Sequence, residues 1–299
     1  MIDDILERPD SRTVLVRMRA AMPSLRPTER RIAELFLAHP ADGANLSIAE
    51  LAVRCGTSTT SVVRFYKRIG YEHYKDLRID LTRETTREDL QNSSFSSVSG
   101  DIDREDSLAD IVTKVALNET LSIADTAKVL DTLALGRAVD LVKSARRIDS
   151  FGVGASSFVG LDLQQKLTRI GRTALNWPDP HSAWTSAATL DASCVAIAVS
   201  HTGSTIDTVE FLKLARAAGA ATIAITNFGE SPLANAADVV LTTAARETRF
   251  RSGALGSRIA QLMVIDCLFT AVAQASFDES MTAVRTTYEA VHSRSLKGS

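Results

Sequence analysis

Cysteine is scarce in this 299-residue chain, and Cys55, Cys194 and Cys267 each stand alone. No pair has the spacing of a disulfide framework or a zinc knuckle, so reduced buried thiols in a cytoplasmic protein are expected. The five histidines, His39, His73, His181, His201 and His292, are scattered, and neither a metal site nor a cofactor is expected. Aromatic residues are few, and Trp177 and Trp184 read as packing or interface residues ahead of sugar-stacking platforms. A clean membrane-length run is missing as well. The most apolar long stretch, Ile259–Phe277, is broken by Gln261, Asp266 and Gln274, which favours a buried helix. Met1-Ile-Asp-Asp has no basic region leading into an apolar one, so neither a secretory leader nor a membrane partner is expected.

What the chain does have is an uneven charge. Residues 12–83 hold thirteen Arg and Lys against seven Asp and Glu, a net of +6, which leaves the rest at −8. A basic first quarter on a mildly acidic body implies a separate module with an anionic partner. Helical patterns over residues 11–38 are interrupted by Pro23 and Pro27, with Thr28 as the expected cap and His39-Pro40 as the stop. Ser47-Ile-Ala-Glu50 is a capping box that opens a short helix to residue 54. Cys55-Gly-Thr57 forms a turn, and a second helix over 58–68 follows. Its inner face carries Val62, Phe65, Tyr66 and Ile69. Two short helices around a glycine turn, the second with a polar and basic outer face, form a helix-turn-helix signature. Ser58, Thr59, Thr60, Ser61, Arg64, Lys67 and Arg68 are the candidate DNA contacts, with Arg64 suited to guanine and Lys67 and Arg68 to phosphate. The general alternative is a surface helix with solvated charges.

Residues 84–107 are polar and serine-rich and read as a flexible linker between a domain at 1–83 and one at 108–277, with a tail at 278–299. Helical patterns fill 108–145. Strand candidates at 148–153, 173–175, 195–199, 222–226 and 239–241 then alternate with helices, which gives an α/β fold with a doubly wound parallel sheet. Two strand-to-helix loops stand out. Gly152-Val-Gly154-Ala-Ser156-Ser157 follows the first strand, and Ser200-His-Thr202-Gly203-Ser204-Thr205 follows the third. Small hydroxyl residues around glycine at a helix start suit an anion, because the first helical N–H groups lack intrahelical partners. Ser157 stands where a dinucleotide fingerprint needs its third glycine. Two such loops at one sheet edge fit a small phosphorylated molecule better.

These residues carry a resemblance. Phe151-Gly-Val-Gly-Ala-Ser-Ser157, Leu167-Thr-Arg-Ile-Gly171, Ser200-x-Thr-Gly-Ser-Thr205, Ala224-Ile-Thr226, Ser231-Pro-Leu-Ala234, Ala237-Asp238 and Glu247 resemble the SIS (sugar isomerase) domain over roughly residues 108–275. Leu190-Asp-Ala-Ser193 departs from the Gly-Asp pair usual before the third strand. Leu46-Ser-Ile-Ala-Glu-Leu-Ala52, Cys55-Gly-Thr-Ser58 and Ser61–Gly70 are similar to the DNA-binding domain of RpiR-type transcriptional regulators, which precedes an SIS domain in that family. The resemblance implies an all-helical helix-turn-helix domain followed by a flavodoxin-like SIS domain. It implies that Ser156, Ser200, Thr202 and Thr205 hold a phosphate, with Gly154, Ser157, Gly203 and Ser204 completing the loops and Glu247 near the sugar. Double-stranded operator DNA, a phosphorylated sugar effector and a homodimer or homotetramer follow as expected partners. Three functional readings result. The first is a phosphosugar-responsive regulator that is not an enzyme. The second is a sugar-phosphate isomerase with a DNA-binding arm, which would need a second acid or base facing Glu247; His181 and His201 are candidates that nothing aligns with it. The third is a scaffold using the helix pair for protein contacts.

Overall fold

The computed structural model describes residues 14–22, 24–91, 103–246 and 254–292. The chain divides into two compact units, Met1–Asn118 and Glu119–Ser299.

The described part of the first unit is helical: α1 (Val14–Ala21), α2 (Pro27–Ala38), α3 (Pro40–Asn45), α4 (Ile48–Arg54), α5 (Thr59–Arg68), α6 (Tyr74–Gln91) and the beginning of α7 (Leu108–Val129). Proline sets two of the starts. Pro27 and Pro40 take first-turn positions, where a missing N–H costs nothing. Thr28 is therefore inside α2 and Arg26 is its cap, while α2 stops at Ala38 before His39-Pro40 as expected, and α3 begins at once at Pro40. The α6 helix runs to Gln91, eight residues beyond the expected end of the helical domain at 83, through a sequence rich in helix formers. One apolar core joins the bundle, with Ile32, Phe36, Leu51, Val62, Phe65, Leu77 and Leu81 fully buried. The Phe36 and Phe65 rings stack at 6.1 Å. Each such side chain contributes about 1.5–3 kcal/mol relative to exposure.

The second unit is an α/β layer structure. Five parallel strands, β1 (Arg147–Gly152), β2 (Ala174–Trp177), β3 (Cys194–Val199), β4 (Ala221–Thr226) and β5 (Val239–Thr242), lie in the order β2-β1-β3-β4-β5. That is the flavodoxin-like order, whose topological switch point falls between β1 and β3. Both faces are buried, and β3 shows how the sequence serves them. Val195, Ile197 and Val199 face α8 (Thr132–Ser144), α9 (Ala155–Arg169) and α13 (Leu255–Ala275). Ala196 and Ala198 face α10 (Pro180–Ala187), α11 (Ile206–Ala217) and α12 (Pro232–Asn235), where small residues leave room for Phe211 and Leu212. A closing helix, α14, spans Phe277–His292. Among the described residues, only α13 has the length and apolarity of a membrane span, and its Ala260, Val264, Ile265, Leu268 and Val272 belong to this core. Cys55 and Cys194 are buried and Cys267 half-buried, all as free thiols. Burial pushes the Cys55 and Cys267 thiols above their ordinary range.

Candidate nucleic-acid interface and effector site

The helix-turn-helix is assembled as its sequence dictates. Ser47 accepts from the Glu50 N–H at 3.3 Å while Glu50 accepts from the Ser47 N–H at 2.8 Å, which starts α4. The turn needs Gly56 at φ +57°, and Arg31 of α2 donates to the Gly56 carbonyl at 3.0 Å. Ser58 then caps α5, accepting from the Ser61 N–H at 3.2 Å, with its hydroxyl 3.1 Å from that of Ser61. Val62, Phe65, Tyr66 and Ile69 are buried, while Thr59, Thr60, Arg64 and Lys67 are exposed. Thr60, Arg64 and Lys67 recur at i, i+4 and i+7, one stripe of the helix.

Arg68, also exposed, has partners within the bundle. It donates to the Ser24 carbonyl at 2.8 Å and pairs at 3.5 Å with Glu29, a carboxylate 2% exposed. Its guanidinium ties the end of α5 to the start of α2, so its first role is to orient the helix. Tyr71 braces the same end. It donates to Asp80 at 3.1 Å and lies beneath the Arg17 guanidinium, 4.2 Å from the ring centre.

The two hydroxyl loops leave the sheet side by side. Gly152 and Val199 are register partners on β1 and β3, so both loops start at one level, about 4.8 Å apart. In the β3 loop, the Ser200 and Thr205 hydroxyls lie 3.1 Å apart and Ser200 Oγ accepts from the Gly203 N–H at 3.2 Å. Thr202 Oγ1 accepts from the Ser204 N–H at 3.3 Å. Thr205 is the N-cap of α11, yet its hydroxyl makes no cap bond. Gly203 sits at φ +62°, and a Cβ there would lie 2.0 Å from Ser231 Oγ and 2.8 Å from Thr226 Oγ1. The loop thus needs glycine on both conformational and steric grounds.

The β1 loop is arranged differently. Gly154, at φ +62°, is the N-cap of α9, and a Cβ there would meet nothing within 4 Å. Ser157 donates to the Gly154 carbonyl at 2.7 Å. Ser156 donates to Oε1 of the buried Gln261 on α13 at 3.3 Å. Each loop has a helix start behind it. Together they offer hydroxyls and first-turn N–H groups at the switch point, which is the chemistry of an anion cradle.

Comparisons with known proteins match both halves. A family profile described as the helix-turn-helix domain of the rpiR family matches residues 13–88, and the SIS domain profile matches 141–271. An uncharacterised HTH-type transcriptional regulator of Caldanaerobacter subterraneus is 35% identical over 95% of this chain and 98% of its own. The chain belongs to the RpiR family of helix-turn-helix regulators. Another family relative, YbbH of Bacillus subtilis, is 32% identical over 91% of this chain and 95% of its own. Among solved structures, the NanR protein of Vibrio vulnificus, complexed with ManNAc-6P, is 30% identical with a TM-score of 0.57. That match covers 93% of this chain and 98% of NanR. The sugar isomerase domain of an RpiR transcription factor from Sphaerobacter thermophilus shares the fold of the second unit, with a TM-score of 0.56 at 24% identity over 60% of this chain and 98% of its own.

Within this RpiR-family chain, Glu247 lies outside the described residues, but the segment leading to it does not. After β5, four successive N–H groups each have a partner. Thr243 donates to the Thr226 carbonyl at 2.9 Å and Ala244 to Thr126 Oγ1 at 3.1 Å. Ala245 donates to Asn227 Oδ1 at 2.7 Å and Arg246 to Ser122 Oγ at 3.1 Å. The Arg246 guanidinium pairs at 2.8 Å with Asp125, a carboxylate 2% exposed. An irregular buried segment needs such satisfaction of every N–H. Two of the four acceptors, and the ion pair, come from α7.

Sequence reasoning missed Ser122, Asp125, Thr126, Asn227 and Gln261, because their partners are far away along the chain. The tryptophans are anchored internally, Trp177 Nε1 to Asp149 at 2.7 Å and Trp184 Nε1 to the Asp207 carbonyl at 3.0 Å. His201 meets Phe228 edge-on, with ring centres 5.7 Å apart.

Proposed function

We propose that this RpiR-family protein is a cytoplasmic transcriptional regulator of carbohydrate metabolism whose α/β unit senses a phosphorylated sugar. The observation that carries this reading is the pair of hydroxyl loops at the β1/β3 switch point, in one chain with a capped helix-turn-helix. The ManNAc-6P complex of the Vibrio relative supports the same effector class. Ser156, Ser200, Thr202 and Thr205 receive the phosphate, the backbones of Gly154, Ser157, Gly203 and Ser204 complete the cradle, and Glu247 meets a sugar hydroxyl. Thr59, Thr60, Arg64 and Lys67 contact DNA, and Ser58 and Ser61 hold the helix start. The chain acts by binding, without turnover, as a dimer or tetramer that presents α5 to half-sites about 34–36 Å apart. An effector changes DNA affinity only through unequal binding to two conformations, with coupling of about 1–3 kcal/mol.

Thermal unfolding of the full chain against sugar phosphates and the matching free sugars tests the sensor. A ligand at 100 times its Kd adds about 2.7 kcal/mol of stability. A midpoint rise with a phosphorylated compound, absent with its free sugar and lost in Ser200→Ala, is the expected result. Equal responses to both forms, or turnover of the phosphorylated compound, would sink the reading. Loss of DNA binding in Arg64→Ala at unchanged thermal midpoint is the expected companion result.

A further inference from the structure

Gln261 is 1% exposed, and it sits directly behind one of the serines assigned to the phosphate. Its Oε1 accepts from the Ser156 hydroxyl, while its Nε2 is buried with no hydrogen-bond partner. A buried amide donor left unpaired is uncommon in folded proteins and destabilising, so this one calls for a reason. Gly152 makes the placement firm. A Cβ there would lie 2.7 Å from the Ser156 carbonyl oxygen and 3.0 Å from Ser156 Cβ, so the end of β1 packs directly against Ser156.

The chemistry of an anion supplies the reason. A phosphate oxygen accepts hydrogen bonds, so a serine that binds it must spend its single O–H on it. That serine then has only lone pairs for the group behind it, and needs a donor there. With Oε1 toward Ser156, as seen, the hydroxyl hydrogen is spent on Gln261. If the amide turns end for end, Nε2 donates to Ser156 Oγ and the hydroxyl hydrogen is released toward the cradle. The two ends of a glutamine amide have nearly the same shape, so the turn asks little of the packing.

Resting on the phosphosugar reading above, we propose that Gln261 is a positioning residue for the effector phosphate: its amide reverses so that Nε2 donates to Ser156 as Ser156 donates to the phosphate. Gln261 acts through Ser156 and does not touch the ligand. The reversal puts Oε1 where the unpaired Nε2 had been, a place without a hydrogen-bond partner, so nothing on that side locks the amide in either orientation and the hydrogen bond with Ser156 decides between them.

The test uses the full chain, with thermal unfolding titrated by ManNAc-6P and separately by inorganic phosphate. Gln261→Met keeps the volume and removes both the donor and the acceptor. Its unliganded midpoint is expected within about 3 °C of wild type, since a lost hydrogen bond and a lost unpaired donor offset one another. Its affinity for the phosphorylated ligand is expected to fall about tenfold. In a Ser156→Ala background the same substitution is expected to change affinity less than about twofold, because the two residues act as one unit. Unchanged affinity in Gln261→Met, or an equal loss with and without Ser156, overturns the inference and leaves the phosphosugar reading standing. No response of the wild type to either ligand overturns both. Should Gln261→Met fail to fold, Gln261→Glu carries the test. It keeps an acceptor behind Ser156 and removes the amide donor but adds a charge that repels phosphate by itself, so the readout is the cycle: a loss that shrinks in the Ser156→Ala background supports the reversal, and an equal loss with and without Ser156 refutes it.

Discussion

The two loops at the switch point share a composition and a location, yet they are built on different plans. The β3 loop is closed on itself. Ser200 and Thr205 face each other, Ser200 holds the Gly203 N–H, and Gly203 is wedged against Ser231 and Thr226. The β1 loop is open at Gly154, and both of its serines are engaged by protein acceptors. One loop is thus preorganised by packing, and the other is poised by an exchangeable hydrogen bond. For binding an anion the first plan lowers the ordering cost, and the second lets the site differ between its empty and filled states. A sensor needs both properties, and here they reside on neighbouring strands.

The largest effect expected is from Gly203→Ala. Left-handed backbone and a Cβ 2.0 Å from Ser231 Oγ combine there, for a loss of about 2–4 kcal/mol, read as a midpoint fall of roughly 5–10 °C. Gly154→Ala shares the positive φ but has open space, so it is expected to lose about 1–2 kcal/mol. Equal losses at the two glycines would erase the distinction between a packed and an open loop.

Next in size is the segment that leads to Glu247. Asp125→Asn removes a mostly buried carboxylate that pairs with both Arg246 and Lys128. A loss of about 1.5–3 kcal/mol is expected, seen as a lower urea midpoint with an unchanged slope. This pair extends the comparison, because a third stretch after β5 is held from outside, by Thr226 and Asn227 at the end of β4 and by Ser122, Asp125 and Thr126 of α7. An unaltered midpoint would show that the backbone bonds from Ser122 and Thr126 hold the segment without the ion pair.

How much of this could be read in the sequence follows from the range of each interaction. The five strands were legible, since short apolar runs bounded by turn residues are what a doubly buried sheet requires. The capping box at Ser47 and the glycine turn at Gly56 were legible too, because every partner lies within a few residues. Arg68 was not. Its outward position on α5 resembles that of Lys67, and only the fold brings Glu29, thirty-nine residues earlier, beneath it. Gln261 is separated from Ser156 by 105 residues and reads as one more polar interruption of an apolar helix. The length of α6 was missed for a different reason. Serine-rich polarity starts near residue 92, but the charged stretch before it has the helix propensity to carry α6 on to Gln91.

The smallest effect expected separates the serines of the open loop. Ser157 donates to the carbonyl of Gly154 within its own turn, a local bond that water can replace at a half-exposed site. Ser157→Ala is therefore expected to change the thermal midpoint by less than about 2 °C and phosphosugar affinity by less than about threefold. Ser156→Ala removes a buried hydroxyl from the cradle and is expected to weaken the same ligand by about tenfold or more. Isothermal titration of the two variants reads the difference directly. Matching losses would mean that the loop contributes through its backbone and helix start, and that its two hydroxyls are interchangeable. Unequal losses in the stated order would place the effect on the one serine that has a buried amide behind it.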